Sequence, residues 1–156
     1  MKPKIYIETT IPSMLVARPS RQVLIAGQQQ ATRDWWTQRR QRFDLYVSVF
    51  VTREIAQGDT VAAKQRAAVL ADCGVLPFPK EAEALTRALL ASRLIPAKAE
   101  TDAAHVATAA VHGMDFLLTW NCRHIANAVI VEKLRAVCER EGFSAPVICT
   151  PHELMI

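Results

Sequence analysis

Four residues spread along the 156-residue chain have side chains suited to one kind of chemistry: Glu8, Glu54, Asp102 and Asn121. Glu8 directly follows the apolar run Ile5–Ile7, and Asn121 ends the segment FLLTWN, so both belong at the carboxyl ends of strands. Glu54 lies in a helix after a second strand-like run, and Asp102 opens the Ala-rich helix AAHVATAAVHG. In a parallel sheet such strand ends and helix starts can converge on one edge. Carboxylates gathered there repel one another and raise one another's pKa values. A hard divalent cation relieves that repulsion, and Mg2+ and Mn2+ favour oxygen ligands in octahedral geometry. The cation can activate water for attack on a phosphodiester and offset the charge that develops on the phosphate oxygens. Each residue also has a plainer role open to it. Glu8 fits an exposed loop acid, Glu54 a solvated helix residue, Asp102 a helix N-cap, and Asn121 the cap of the segment after it.

The elements that must position these groups follow from local pattern. Lys4–Ile7 predicts a strand, since Ile5, Tyr6 and Ile7 are β-formers in an apolar run. Pro12 suits the first turn of a helix. Arg21–Arg42 predicts one amphipathic helix, with Val23, Leu24, Ala31, Trp35 and Trp36 among its apolar positions. Phe43–Val49 predicts a second strand, with a helix following through Glu54. Gly58, Gly74, Gly113 and Gly142 are each expected to end a helix in the left-handed conformation, and Asp59 to cap the next one. Further strands are expected at Val75–Phe78, Asp115–Thr119 and Val147–Cys149. Thr150, Pro151 and Glu153 have the spacing of a capping box, which predicts a short final helix. This alternation predicts an α/β layered fold with a mainly parallel sheet, forming a single domain over residues 1–156. Ligands in such sheets bind outside the carboxyl ends of the strands, near the point where the strand order reverses.

Composition narrows the classes. Hydrophobic residues make up 51% and charged residues 22%, which excludes a disordered chain. The net charge of +4 is compatible with a polyanionic partner. The densest basic patch, Arg33, Arg39, Arg40 and Arg42, equally suits a solvated helix face. Cys73, Cys122, Cys138 and Cys149 form no C-x-x-C pair and read as reduced thiols. The first residues, MKPKIYIETT, lack the apolar run of a signal peptide, and no apolar stretch reaches membrane-spanning length. The expectation is a cytoplasmic protein.

Three segments, IYIETTIPS, VTREIAQGD and TDAAHVATAAVHGMDFLLTWNCRHIAN, resemble the PIN-domain family, particularly the VapC-like toxins of toxin–antitoxin pairs. The third is the most specific, with an acid opening an Ala-rich helix, then Gly, then a strand ending in Thr-x-Asn. The resemblance implies a three-layer α/β/α sandwich with a mainly parallel central sheet. It also implies an endoribonuclease dependent on Mg2+ or Mn2+, with RNA as substrate, a cognate antitoxin as partner, and a homodimer. By the same resemblance Glu8, Glu54 and Asp102 hold the metal and, with Asn121, form the catalytic set, while Thr9 and Thr119 fall where the family often has hydroxyl residues near the acids.

Two departures qualify this expectation. Glu8 stands where most relatives have Asp, and Asn121 where an Asp is frequent. The missing charge favours one tight metal ion, with a second recruited only with RNA. It also leaves open a second reading, a PIN module that binds RNA or a protein without cleaving. A third, a receiver-like phosphotransfer domain, needs an acceptor Asp after a central strand and a Lys after a later one. Neither Val75–Phe78 nor Phe116–Thr119 is followed by the right residue. Asp115 begins the strand that Asn121 follows, which puts it at the far end of the sheet. His105 shares a helical face with Asp102, as a metal ligand or as a satisfied buried histidine. Arg123 and His124 are placed to contact phosphate, and Trp120 to stack a base or fill the core. Trp35 and Trp36 suit a partner-binding face or the core.

Overall fold

A computed structural model describes residues 1–155 of the chain. Five strands, β1 (Lys4–Ile7), β2 (Asp44–Ser48), β3 (Gly74–Leu76), β4 (Phe116–Leu118) and β5 (Val147–Cys149), form one sheet in the spatial order 3-2-1-4-5. Every neighbouring pair is parallel, with Tyr6 opposite Tyr46 on one side and Leu117 on the other. β1 is thus central, and its Ile5, Tyr6 and Ile7 are fully buried. A continuous apolar run is what a parallel strand covered on both faces requires.

Seven α-helices connect the strands: α1 (Thr10–Val16), α2 (Val23–Gln38), α3 (Val49–Ile55), α4 (Thr60–Val69), α5 (Lys80–Ala91), α6 (Glu100–Val111) and α7 (Val131–Arg140). Helix α1 packs on α2 and on α4, and α5 packs on α6 and α7. Right-handed crossovers place the helices before β3 on one face and those after it on the other. The result is a three-layer α/β/α sandwich. Helix α6 is the most enclosed, with every residue from Ala103 to Ala110 buried. Its alanines let it lie close to the sheet and to α5. Among the described residues no helix is long and apolar enough to cross a membrane.

The observed elements depart from local pattern at identifiable points. The helix expected over Arg21–Arg42 runs from Val23 to Gln38 and gives way to a 3-10 turn at Arg40–Arg42. Its Trp35 and Trp36 are core residues, whereas Val23 and Leu24 are 88% and 75% exposed. The helix therefore starts beyond the edge of what it covers. The second strand stops at Ser48, whose Oγ accepts from the Phe50 amide and caps α3, so Val49 is already helical. Pro77 lies just past the end of β3, which is shorter than the apolar run suggests. The capping box at Thr150 forms, but over a 3-10 turn, Pro151–Leu154.

Gly58, Gly113 and Gly142 have φ of +80°, +64° and +89°, as helix-terminating glycines should. Gly74 does not share that role; it opens β3. A Cβ there would lie 2.8 Å from Cδ1 of Tyr46 on the neighbouring strand, so glycine is required by close approach. Gly74→Ala is expected to cost about 1–2 kcal/mol as the Tyr46 ring is displaced. Urea unfolding measures this, and an alanine variant as stable as the parent counts against the contact.

All four cysteines are free, and Cys73, Cys138 and Cys149 are buried. Burial pushes the Cys73 and Cys138 thiols up to about 11 and the Cys149 thiol up to about 12.

Candidate functional site

The strand order reverses between β1 and β4, the two strands on either side of which the chain winds outward in opposite directions. Beyond their carboxyl ends, the Glu8 amide donates to Leu118 O at 3.1 Å and the Thr119 amide to Cys149 O at 3.0 Å. These bonds extend the sheet by one rung and fix where the next side chains emerge. The cleft that opens there, about 450 Å³, is lined by Glu8, Glu54, Asp102 and Asn121 together with Thr9, Thr10, Met14 and Gln29. All four residues singled out by type and spacing thus face one cleft. Asp115 lies at the opposite end, where its Oδ2 accepts from the Lys4 amide at 2.7 Å.

Glu8 is only 3% exposed. Its Oε2 accepts from the Thr10 amide at 3.0 Å, from Thr10 Oγ1, and from Thr119 Oγ1 at 2.7 Å. Each hydroxyl is itself oriented by a backbone donor: the Trp120 amide donates to Thr10 Oγ1 at 2.8 Å and the Asn121 amide to Thr119 Oγ1 at 2.9 Å. The carboxylate is therefore held by donors from both sides of the switch point. Its other oxygen, Oε1, has no donor among the described residues.

Glu54 comes from the last turn of α3, and its Oε1 accepts from Thr9 Oγ1 at 2.7 Å. His105 Nε2 lies 2.6 Å from the same oxygen. Burial alone would push the Glu54 carboxyl up, but the pull of His105, and then of Thr9, outweighs it and holds the group below the usual carboxylate value. The two acids share a design: one oxygen is pinned by hydrogen bonds and the second is left for something else.

Asp102 is the third residue of α6 and is not its N-cap, which is Ala99. Its Oδ2 lies 2.8 Å from His124 Nδ1, an ion pair when the ring is protonated. Asn121 is both a cleft residue and a cap, since its Oδ1 accepts from the His124 amide at 3.0 Å. His124 thus binds back to both residues at this side of the cleft. Trp120 packs against the core and donates from Nε1 to Thr32 Oγ1 at 2.7 Å.

The groups closest to a ligand set are Glu8, Glu54 and His105, whose ligand-capable atoms lie within 4.8 Å of one another. They could hold a metal ion. His105 is fully buried and both its ring nitrogens have partners, Glu54 Oε1 and, at 2.6 Å from Nδ1, Tyr6 Oη. Tyr6 Oη in turn lies 2.6 Å from Ser48 Oγ. Local pattern did not single out Tyr6, Thr10 or Ser48. The available signals were the i, i+2 spacing of Tyr6 and Glu8, which puts Glu8, just past the end of β1, on the same side as Tyr6, and the pair of threonines after Glu8.

The fold and site define a parallel α/β protein with a hydrogen-bonded carboxylate cluster at its switch point. No protein-family model matches the chain, and no curated protein matches it.

Proposed function

We propose that the chain is a metal-dependent endoribonuclease that hydrolyses RNA phosphodiester bonds, and that it serves as the toxin of a toxin–antitoxin pair, as its PIN-like segments imply. The observation that carries the nuclease reading is the pair Glu8 and Glu54, which line one cleft and each have one oxygen fixed by hydrogen bonds. Such a donor set fits Mg2+ or Mn2+, which take oxygen ligands and tolerate few of them from protein. A bound cation would polarise a phosphate oxygen and lower the pKa of water. The chain's residues supply the rest. Thr10, Thr119 and Thr9 hold the two carboxylates in place, so little reorganisation is needed on binding. Asp102 adds a third carboxylate across the cleft, steadied by His124. The exposed Arg123, two residues past Asn121, suits a phosphate, as does the net charge of +4.

The test is cleavage of RNA with Mn2+ present. Asp102→Asn is expected to lower the rate by about a hundredfold or more, as loss of a charged group at a metal site does. Cleavage at the parental rate would remove Asp102 from the site.

Asn121 favours a second reading. Its side-chain oxygen already accepts from the His124 amide as a cap, and the fourth position offers no charge. That suits a module that binds RNA or a protein without cutting. Retention of RNA with no cleavage across Mg2+, Mn2+ and a range of RNA substrates would support the module over the enzyme.

A further inference from the structure

Glu8, Glu54 and His105 together make a two-carboxylate, one-histidine set. Taken by residue type, such a set suits zinc or ferrous iron better than magnesium. Whether His105 joins it depends on which of its nitrogens carries the proton.

The buried hydrogen bonds decide this by proton counting. Ser48 is fully buried, and its Oγ accepts from the Phe50 amide at 3.2 Å. The acceptor within reach for its own proton, among the described residues, is Tyr6 Oη at 2.6 Å. Tyr6 then has its proton free for His105 Nδ1. With Nδ1 accepting, the imidazole proton sits on Nε2 and is donated to Glu54 Oε1. Every proton in the series Ser48, Tyr6, His105 has one acceptor, and the series ends on a carboxylate. The reverse order strands the Ser48 proton in a fully buried position, the arrangement folded proteins avoid. The ring is also fixed in place, edge-on to Tyr6 and Phe50 with centroids 5.8 Å and 6.3 Å away.

We infer that Tyr6 and Ser48 keep His105 out of the cation's ligand set by fixing its Nε2–H tautomer, so that the site takes hard, oxygen-seeking cations and discriminates against zinc. This rests on the reading of the cleft as a metal centre. His105 is then a positioning residue for Glu54, and Tyr6 is the residue that sets cation selectivity. Tyr6→Phe keeps the ring and removes the proton that holds Nδ1. The imidazole proton can then move to Nδ1, which leaves the Nε2 lone pair facing the acids.

The experiment titrates the metal-stripped full chain with Mn2+ and, separately, with Zn2+ by calorimetry. In Tyr6→Phe the affinity for Zn2+ relative to Mn2+ is expected to rise by about tenfold or more, the scale on which groups supporting a ligand act. Adding His105→Gln to Tyr6→Phe should return the ratio to the parental one, which separates the histidine from cysteine binding. A ratio unchanged within about twofold while Mn2+ binding persists overturns the inference alone. A parental chain that binds no Mn2+ overturns the metal-centre reading and the inference with it. Long-range proton–nitrogen spectra of the parental chain without metal give a second measure that needs no variant to fold. A protonated Nε2 and a bare Nδ1 on His105 are expected, and a proton on Nδ1 overturns the ordering.

Discussion

Glu8→Gln is expected to weaken Mn2+ binding by about a hundredfold or more and to remove RNA cleavage with it, while the protein stays folded. The amide oxygen of glutamine can take over the acceptor role of Oε2 toward Thr10 and Thr119, which keeps the strand ends stitched together. The amide NH2 then occupies the place of Oε1. It brings a donor where a cation needs an acceptor, and no charge where the site needs one. Charge-assisted bonds at Oε2 become neutral ones, a loss on the order of 1–2 kcal/mol. Relief of repulsion with Glu54 offsets part of that. Calorimetry with Mn2+, an RNA cleavage assay and thermal unfolding of the same preparation separate these effects. Cleavage at the parental rate by a folded Glu8→Gln protein would sink the site assignment.

Leu117→Ala is expected to destabilise the domain by about 3–5 kcal/mol, because it opens a cavity where the structure has no means to close it. Leu117 is fully buried in the middle of β4, paired with Tyr6 of β1 on one side and Ile148 of β5 on the other. Strands bonded on both edges cannot move inward to fill a void. For a chain of this length the midpoint of thermal unfolding should fall by roughly 6–20 °C. The denaturant midpoint should fall with an unchanged slope, since the surface exposed on unfolding is the same. A loss below about 1 kcal/mol would mean that β4 is not packed as described.

Local pattern located what depends on neighbours in sequence. The apolar run of β1, the capping box at Thr150 and the glycine turns after α3, α6 and α7 are all written in a few adjacent residues. So was the placement of Glu8, Glu54, Asp102 and Asn121 at element ends, and these four line one cleft. What escaped was set by residues far apart in the chain. Gly74 looks like any helix-ending glycine until the Tyr46 ring is placed beside it. Val23 and Leu24 keep the helical period, but the period carries no information about where the covered surface stops. His105 was legible as a buried histidine sharing a face with Asp102. Its links to Tyr6 and Glu54 span 99 and 51 residues, and no spacing rule reaches that far. His124 folds back 22 residues onto Asp102 through a turn whose cap, Asn121, had more than one role open to it.

Helix α6 is enclosed by protein along all of Ala103–Ala110. Its amide hydrogens should therefore exchange with solvent only when the whole domain opens, and should be among the slowest in the chain. Asp102, in its first turn, and His105, in its second, inherit that stillness. A ligand entering the cleft meets groups whose ordering entropy was settled when the chain folded, so it spends little of its affinity on arranging them. The same coupling runs the other way. Any substitution that loosens α6 against α5 reaches the cleft as lost order before it appears as a changed contact.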